Sequence, residues 1–556
     1  MSAFVVLMKK IFAVGDVNVD LFTHISRFAQ FGTEAHAEGF HCTLGGNAAN
    51  FAAASASLGL DVRLVSAIGS DVFTPFIMRG LKRLRIRPLL QKYGLPNGVS
   101  NIFVRSDGER AILSSKGCLL ELNSALVARR LLPQVSAGDI VFFGGFFHLP
   151  KMRKGFLRLL KAIKRKKAIV AFDCCYDEYG NWKIRDFLKN VDIFMLNEVE
   201  LRAITRAKSN ASGIRRLFSM GANHVVLKRG SGGSEYYLPL MGTKPIHSPA
   251  LSVRALNATG AGDFFNAGFV YGLANSFSAL NCLRCGNFAA ARKVSSREYC
   301  PTLKGDLKDF LRSQNLTEIT VKRNRAGVAK EAVQRISFLI NAMPNAVISL
   351  AAGKTPIPIY RALVSAFRRG EADFSRASFV QLDEYLGLSD SHDSFAHSLK
   401  KNFIDKVNFK KENVFLFNVH AKNLAVECRR IESIVKRKGL TVVLLGLGEN
   451  AHIAFNEPGS SFSSRTRVIE IPRGALSARK ARFRGAKPSR ALTLGMKTIM
   501  GAKIIILAAT DAKKARAIAK SFNGKVSERA PASVLRRHPN SAIIVDAAAA
   551  RKLKKS

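Results

Sequence analysis

Long apolar runs are missing from this 556-residue chain. Its hydrophobic stretches, such as IVFFGG, VVLLGLG and IIILAAT, are short and end in glycine or polar residues. They read as buried parallel strands and exclude helical membrane spans. No Arg/Ser-rich transit peptide or signal peptide is visible, since FVVLM near the start is too short for an h-region and no small-residue cleavage site follows. Cysteine is scarce, at 8 residues. Cys174 and Cys175 are adjacent, and Cys282 and Cys285 form one CxxC without a second pair. That spacing excludes a zinc framework and suits reduced, buried thiols in a cytoplasmic protein. Acids are the third shortage: 40 Asp and Glu face 87 Lys and Arg, for a formal net charge of +47. The cations are spread through every segment, with no aromatic comb, finger or helix-turn-helix pattern. They read as a generally basic surface that steers anionic substrates, with no specific nucleic-acid partner and no membrane partner expected.

What is present is a globular composition, 47% hydrophobic and 23% charged, in a chain long enough for roughly two to four domains. Strand-like runs alternate with amphipathic helices up to about residue 314: KKIFAVGDVNVD, VRLVSAIGSD, DIVFFGG, AIVAFDCC, VDIFMLNE and HVVLKRGSGG. This predicts α/β structure with a largely parallel sheet. The polar stretch DFLRSQNLTEITVKRNRAG breaks the rhythm. A helix and a second α/β run follow: AVISLAAGKTP, SFVQLDEYLGL, LTVVLLGLGEN, KIIILAATD and SAIIVDA. No internal repeat relates the two halves, and RKLKKS is a short basic end.

In NATGAGDFFNAGF a small-residue turn opens an apolar helix, so backbone N–H groups at the helix start can face an anion. Asp263 sits at the same point and is a plausible base for a hydroxyl attacking a phosphoryl group. Further segments accompany it. GDVNVD ends in Asn18 and Asp20, LGGNAANFAAASASLG opens a helix with Gly45, Gly46 and Asn50, and MLNEVE ends a strand with Asn197 and Glu200. In order and separation these segments resemble the ribokinase-like (PfkB) carbohydrate kinase family over about residues 8 to 314. The resemblance implies a ribokinase-like fold, with Asp263 as the base for the sugar hydroxyl. Gly260, Ala261 and Gly262 would form the anion hole for the transferred phosphoryl group. Asn18, Asp20, Gly45, Gly46 and Asn50 would hold the sugar. Asn197 and Glu200 match the N-x-x-E motif that helps place Mg²⁺, indirectly, and the phosphates. LKRGSGG, with Lys228, Gly230 and Gly233, matches the stretch near the nucleotide, which would be ATP. Asn257 stands where the family usually has aspartate, which argues against activation by a monovalent cation.

In VVLLGLGENAHIAFNEP a buried strand ends in a glycine turn, so His452 lies just past a strand's C-terminal end, where open α/β sheets bind ligands. Glu457 can orient or charge-tune it. FVQLDEYLGL puts Asp383 and Glu384 after another strand, where a carboxylate suits proton abstraction beside a carbonyl. SLAAGKTPIPIYRAL holds a turn that can cradle a phosphate with backbone N–H groups, helped by Thr355 and Lys354. LDEYLGL, HIAFNEPGSSFSSRTR and ALTLGMKTIM resemble the glucosamine-6-phosphate deaminase/isomerase family over about residues 317 to 548. The related 6-phosphogluconolactonases share the glycine turn but typically lack FNEP and SRTR.

This second resemblance implies a Rossmann-like deaminase/6-phosphogluconolactonase-type fold that uses no organic cofactor. His452, supported by Glu457 and Asn450, would open the sugar ring, and Asp383 would take the C2 proton. Gly353, Lys354, Thr355, Arg482 (alternatively Arg479) and Lys514 would hold the phosphate. Asn450 stands where many members have aspartate, Ala451 replaces the usual glycine, and Lys354 replaces a small residue. The chain thus reads as a two-domain α/β fusion acting on sugars and sugar phosphates, a cytoplasmic homo-oligomer by resemblance. The alternatives are a kinase carrying a silent sugar-phosphate-binding domain, and a sugar-phosphate sensor.

Overall fold

The computed structural model describes residues 9–105, 109–177, 180, 182–239, 242–275, 277–313, 317–343, 345–353, 356–388, 394–471 and 488–554. They form two compact units that divide between Phe310 and Leu311.

In the first unit the described strands make a nine-stranded sheet. Its order is Ile246–Ser248, Ser234–Tyr237, His224–Lys228, Ile193–Asn197, Ile169–Asp173, Ile140–Phe143, Lys10–Val14, Asp61–Ile68 and Arg87–Lys92. Every pairing is parallel except the two at the first-named edge. Ile140–Phe143 is wholly apolar and wholly buried, as a central parallel strand covered on both faces requires. The helices Asn47–Ser57 and Ala261–Ala274 are rich in alanine and glycine and almost entirely buried. Small residues let backbones approach closely: a Cβ on Gly268 would lie 2.3 Å from the carbonyl oxygen of Cys285. A second, four-stranded sheet, in the order Gly39–Gly45, Asn18–Ile25, Gly98–Arg105 and Arg110–Ser115, carries Asn18 and Asp20.

The second unit holds a seven-stranded sheet among its described residues, parallel throughout. Its order is Glu318–Lys322, Ser541–Asp546, Ile504–Ala509, Val442–Leu445, Val347–Leu350, Ser378–Val380 and Val414–Phe415. The chain runs outward from Val347–Leu350 to one edge. It then returns to the other side at Val442–Leu445 and runs outward again. This reversal opens a crevice at the C-terminal ends of those two neighbouring strands. A three-stranded antiparallel sheet, Asp383–Tyr385, Arg490–Thr493 and Arg467–Glu470, accompanies it. Among the described residues no helix is long and apolar enough to cross a membrane.

Candidate active sites

Asp263 is the third residue of the helix Ala261–Ala274 and is 6% exposed. Gly260 caps that helix at φ 77°, a left-handed conformation that glycine adopts without a Cβ clash. Asn47 Nδ2 donates to Asp263 Oδ1 at 3.2 Å and Asn50 Nδ2 to Oδ2 at 3.1 Å. Burial, and then the charge of Asp173, push the Asp263 carboxyl up to about 8 against the pull of the two amides and Lys228. The N–H of Ala261 is turned back onto the Ala258 carbonyl at 3.2 Å. The N–H groups of Gly262 and Asp263 stand at the helix start, where no intrahelical acceptor exists.

Asn18 and Asp20 share one face of their strand, because side chains alternate with period two. Asn18 Nδ2 donates to Asp20 Oδ1 at 2.7 Å and to Ser100 Oγ at 3.1 Å. Gly45 is pressed against Asp20, and a Cβ there would fall 2.0 Å from Oδ1. Gly46, at φ 97°, would put a Cβ 2.6 Å from the Asp16 carbonyl oxygen. Asp16, Asn18, Asp20, Asn50, Lys116, His148 and Asp263 line one cavity of about 200 Å³. The cavity gathers Asn18, Asp20, Gly46 and Asn50, four of the five residues expected to hold a sugar, beside the expected base.

The N-x-x-E motif has a local structural job. Asn197 Oδ1 accepts from the N–H of Glu200 at 2.9 Å, and Glu200 Oε2 accepts from the N–H of Asn197 at 2.8 Å. This reciprocal box caps the helix Glu198–Thr205. Burial and the neighbouring Asp173 raise Glu200 to about 7. Asp173 accepts from the Cys175 N–H at 3.1 Å, from Lys228 Nζ at 2.5 Å and from Asn266 Nδ2 at 2.6 Å. Burial would lower the Lys228 ammonium, but Asp173 and Glu200 outweigh it and hold it above its ordinary value. Its Nζ lies only 3.5 Å from where a Cβ on Gly262 would stand, so the cation reaches the helix start. Asp173, Cys174 and Glu200 present donor atoms within 4.8 Å of one another. These donor atoms would suit a metal ion such as Mg²⁺, with Asp173 and Glu200 already engaged by the groups just named. Gly230 and Gly233 form the tight turn after the strand His224–Lys228. A Cβ on Gly233 would lie 2.2 Å from the Ser248 carbonyl oxygen.

In the second unit His452 Nδ1 is 2.6 Å from Asn450 Oδ1, while Asn450 Nδ2 donates to Glu457 Oε2 at 2.7 Å. The Glu457 acceptor fixes which way the amide points. An amide oxygen only accepts, so Nδ1 carries a proton, and in the neutral ring the lone pair is on Nε2. Glu457 Oε1 is also 3.4 Å from Nδ1. Ala451 and Ala454 have φ values of 74° and 52°. Left-handed backbone costs a non-glycine residue roughly 1–2 kcal/mol. The Ala451 conformation is held by its N–H on the Gly448 carbonyl and by the Ala532 N–H on its own carbonyl, each at 3.0 Å.

Asp383 is 6% exposed on the strand Asp383–Tyr385. Burial and then the Asp383 charge keep the hydroxyl of Tyr360 protonated. That hydroxyl donates to the carbonyl of Ala351, just past the strand Val347–Leu350. Glu384 is different, because it accepts from Gln381 Nε2 and from the N–H groups of Tyr385, Phe395 and Ala396 at 2.7–2.9 Å. Its oxygens brace the start of the helix Phe395–Asn402. The arginines after FNEP are held in bonds of their own: Arg467 donates to Asn456 Oδ1 and Ser460 Oγ, and Arg465 to Glu432. Gly353, at φ 129°, follows Val347–Leu350, and Lys514 opens the helix Ala515–Phe522 after Ile504–Ala509. Lys354, Thr355, Arg482 and Arg479 lie outside the described residues.

The sequence pattern of the pfkB family of carbohydrate kinases matches residues 8–304. That of glucosamine-6-phosphate isomerases/6-phosphogluconolactonase matches residues 322–544. The chain belongs to both families, one in each half. It is 38% identical over 237 residues to the glucosamine-6-phosphate deaminase of Thermoanaerobacter pseudethanolicus, covering 42% of this chain and 94% of that protein. It is 41% identical over 227 residues to glucosamine-6-phosphate deaminase 1 of Giardia intestinalis, covering 40% and 85%. Thermotoga maritima ribokinase aligns with a TM-score of 0.49 at 24% identity, covering 55% of this chain and 100% of that one. A PfkB-type kinase domain and a glucosamine-6-phosphate deaminase-type domain are therefore both present.

Sequence reasoning passed over several polar groups of the kinase pocket. Asp16 accepts from the Ala48 N–H at 3.1 Å and faces His148 Nδ1 at 3.6 Å. Burial pushes its carboxyl up, but His148 and the backbone donors win and leave it below the ordinary value. Asp16 and Asn47 lie inside motifs already quoted, and Asp173 ends a strand beside Cys174. A strand-end carboxylate was the available signal.

Proposed function

We propose that the chain is bifunctional. Its first unit transfers a phosphoryl group from ATP to a sugar, and its second converts glucosamine 6-phosphate and water to fructose 6-phosphate and ammonia. The placement of Asp263 carries the first half of this reading. A buried carboxylate held by two amides beside two helix-start N–H groups sets a proton acceptor next to an anion site. In its ionised form Asp263 takes the proton of the attacking hydroxyl. Gly262 and Lys228 stabilise charge on the transferred group from one side. Asn197 and Glu200 would help place Mg²⁺, which would supply charge neutralisation to the nucleotide phosphates.

In the second unit His452 carries its lone pair on Nε2, and Asn450 and Glu457 hold the ring. His452 moves the ring-opening proton, with Glu457 stabilising the imidazolium that results. The C2 proton goes to Asp383, since the adjacent Glu384 is engaged by four donors. Water then displaces ammonia. Positioned acid–base groups supply about 10²–10⁴-fold each. The phosphate rests at the end of Val347–Leu350 on the Gly353 turn, with Lys514 from the neighbouring segment.

Asn450 in place of a carboxylate, with Ala451 in a left-handed turn, favours a second reading in which this unit binds sugar phosphate without turning it over. Release of ammonia and fructose 6-phosphate from glucosamine 6-phosphate separates the two. The deaminase reading expects both products from wild type and a loss of 10²-fold or more in Asp383→Asn. A wild type that binds glucosamine 6-phosphate but releases neither supports the silent domain.

A further inference from the structure

The pocket of the first unit is acidic, and the charge of only some of its acids is answered within it. Three carboxylates line it, Asp16, Asp20 and Asp263, against Lys116 and His148. Asp16 is matched by His148 and a backbone N–H, and Asp263 by two amides. Asp20 is not matched by charge. It is 7% exposed, its hydrogen bond comes from the neutral amide of Asn18, and among the described residues no cation forms an ion pair with it. Lys293, whose charge it feels, is committed to the carbonyls of Glu298 and Tyr299. A buried carboxylate without a cation is costly, and a cationic group on the ligand offsets that cost. A phosphate dianion in the same cavity would meet three acidic side chains, with Lys116 and His148 the basic residues lining it.

The second unit supplies an independent constraint. Expelling ammonia from C2 requires a free amine there, and its substrate carries phosphate on C6. We propose that the kinase unit phosphorylates a free 2-amino-2-deoxyhexose, with its ammonium set against Asp20, and that the product is the hexosamine 6-phosphate consumed by the second unit. This rests on both the kinase and the deaminase readings above. The C6 hydroxyl oxygen bonds to the γ-phosphorus of ATP and its proton passes to Asp263. The bond from that phosphorus to the bridging oxygen breaks, and ADP leaves with the electron pair. The kinase step thus precedes the deaminase step, and no deacetylation is needed between them.

The test uses the full chain with Mg-ATP and reads ADP release on glucosamine, glucose, N-acetylglucosamine and fructose 6-phosphate, for wild type and Asp20→Asn. The expected result is a kcat/KM for glucosamine at least tenfold above the other three. Asp20→Asn should shrink that preference tenfold or more, chiefly through KM. Preference for any of the other three sugars overturns the proposal, as does a preference that Asp20→Asn leaves unmoved. Absence of turnover on every sugar would sink the kinase reading instead. Calorimetric titration of glucosamine against glucose onto Asp263→Asn protein still reads the pocket, and equal binding of the two overturns the proposal.

Discussion

Gly448 offers the sharpest test of the second site, because its backbone is not left-handed and only a side chain makes it intolerant. A Cβ at this position would stand 2.2 Å from both Cε1 and Nδ1 of His452 and 2.5 Å from Nε2, whereas ordinary contact begins at 3.4 Å. Gly448→Ala therefore forces the imidazole back by roughly 1.2 Å, the difference between 3.4 and 2.2 Å. The Nδ1–Asn450 bond of 2.6 Å then stretches past hydrogen-bonding range. A misplacement of about 1 Å costs about 10²-fold, or about 2.7 kcal/mol of transition-state stabilisation. The expected outcome is a hundredfold fall in ammonia release from glucosamine 6-phosphate, with a melting temperature close to wild type, since the ring yields rather than the backbone. Gly448→Ala combined with His452→Gln should lose little more than His452→Gln alone, because both changes act on one group. Activity within threefold of wild type, at an unchanged melting temperature, would refute the reasoning.

Two further predictions concern the kinase unit. Asp263 titrates near 8 in the folded protein, against an ordinary value of 3.8, so the folded state holds an extra proton between those limits. Its contribution to stability is full below about pH 4 and is lost as pH rises through about 8. Asp263→Asn stays neutral, so its melting temperature relative to wild type should climb between about pH 5 and about pH 8.5; a pH-independent offset would count against the assigned burial. Lys228→Met removes the ammonium bonded to Asp173. It should destabilise the first unit by about 3–5 kcal/mol, seen by calorimetry, and abolish kinase turnover while ammonia release persists. Adding Asp173→Asn should recover part of the stability.

Much of this protein was legible in its residues. Short apolar runs ending in glycine marked parallel strands, Asp383 and His452 were read just past strand ends, and Asp263 was read at the start of a helix, where it lies. Asn18 and Asp20 share a face because strand periodicity is local, and Ala451, which replaces the usual glycine, takes a φ of 74°. Tertiary structure decided what each polar group is bonded to. Asn47 reaches Asp263 across 216 residues, and Lys228 reaches Asp173 across 55. Such partners depend on which elements pack together, and no spacing rule encodes that. The same holds for Glu384, indistinguishable in sequence from a catalytic neighbour of Asp383 until four donors close around it. It holds for Gly448 as well, where the demand for glycine comes from the His452 ring rather than from the turn. Periodicity and chain punctuation act over a few residues and are written locally. Charge pairing, desolvation and close approach are properties of surfaces that meet only once the chain has folded.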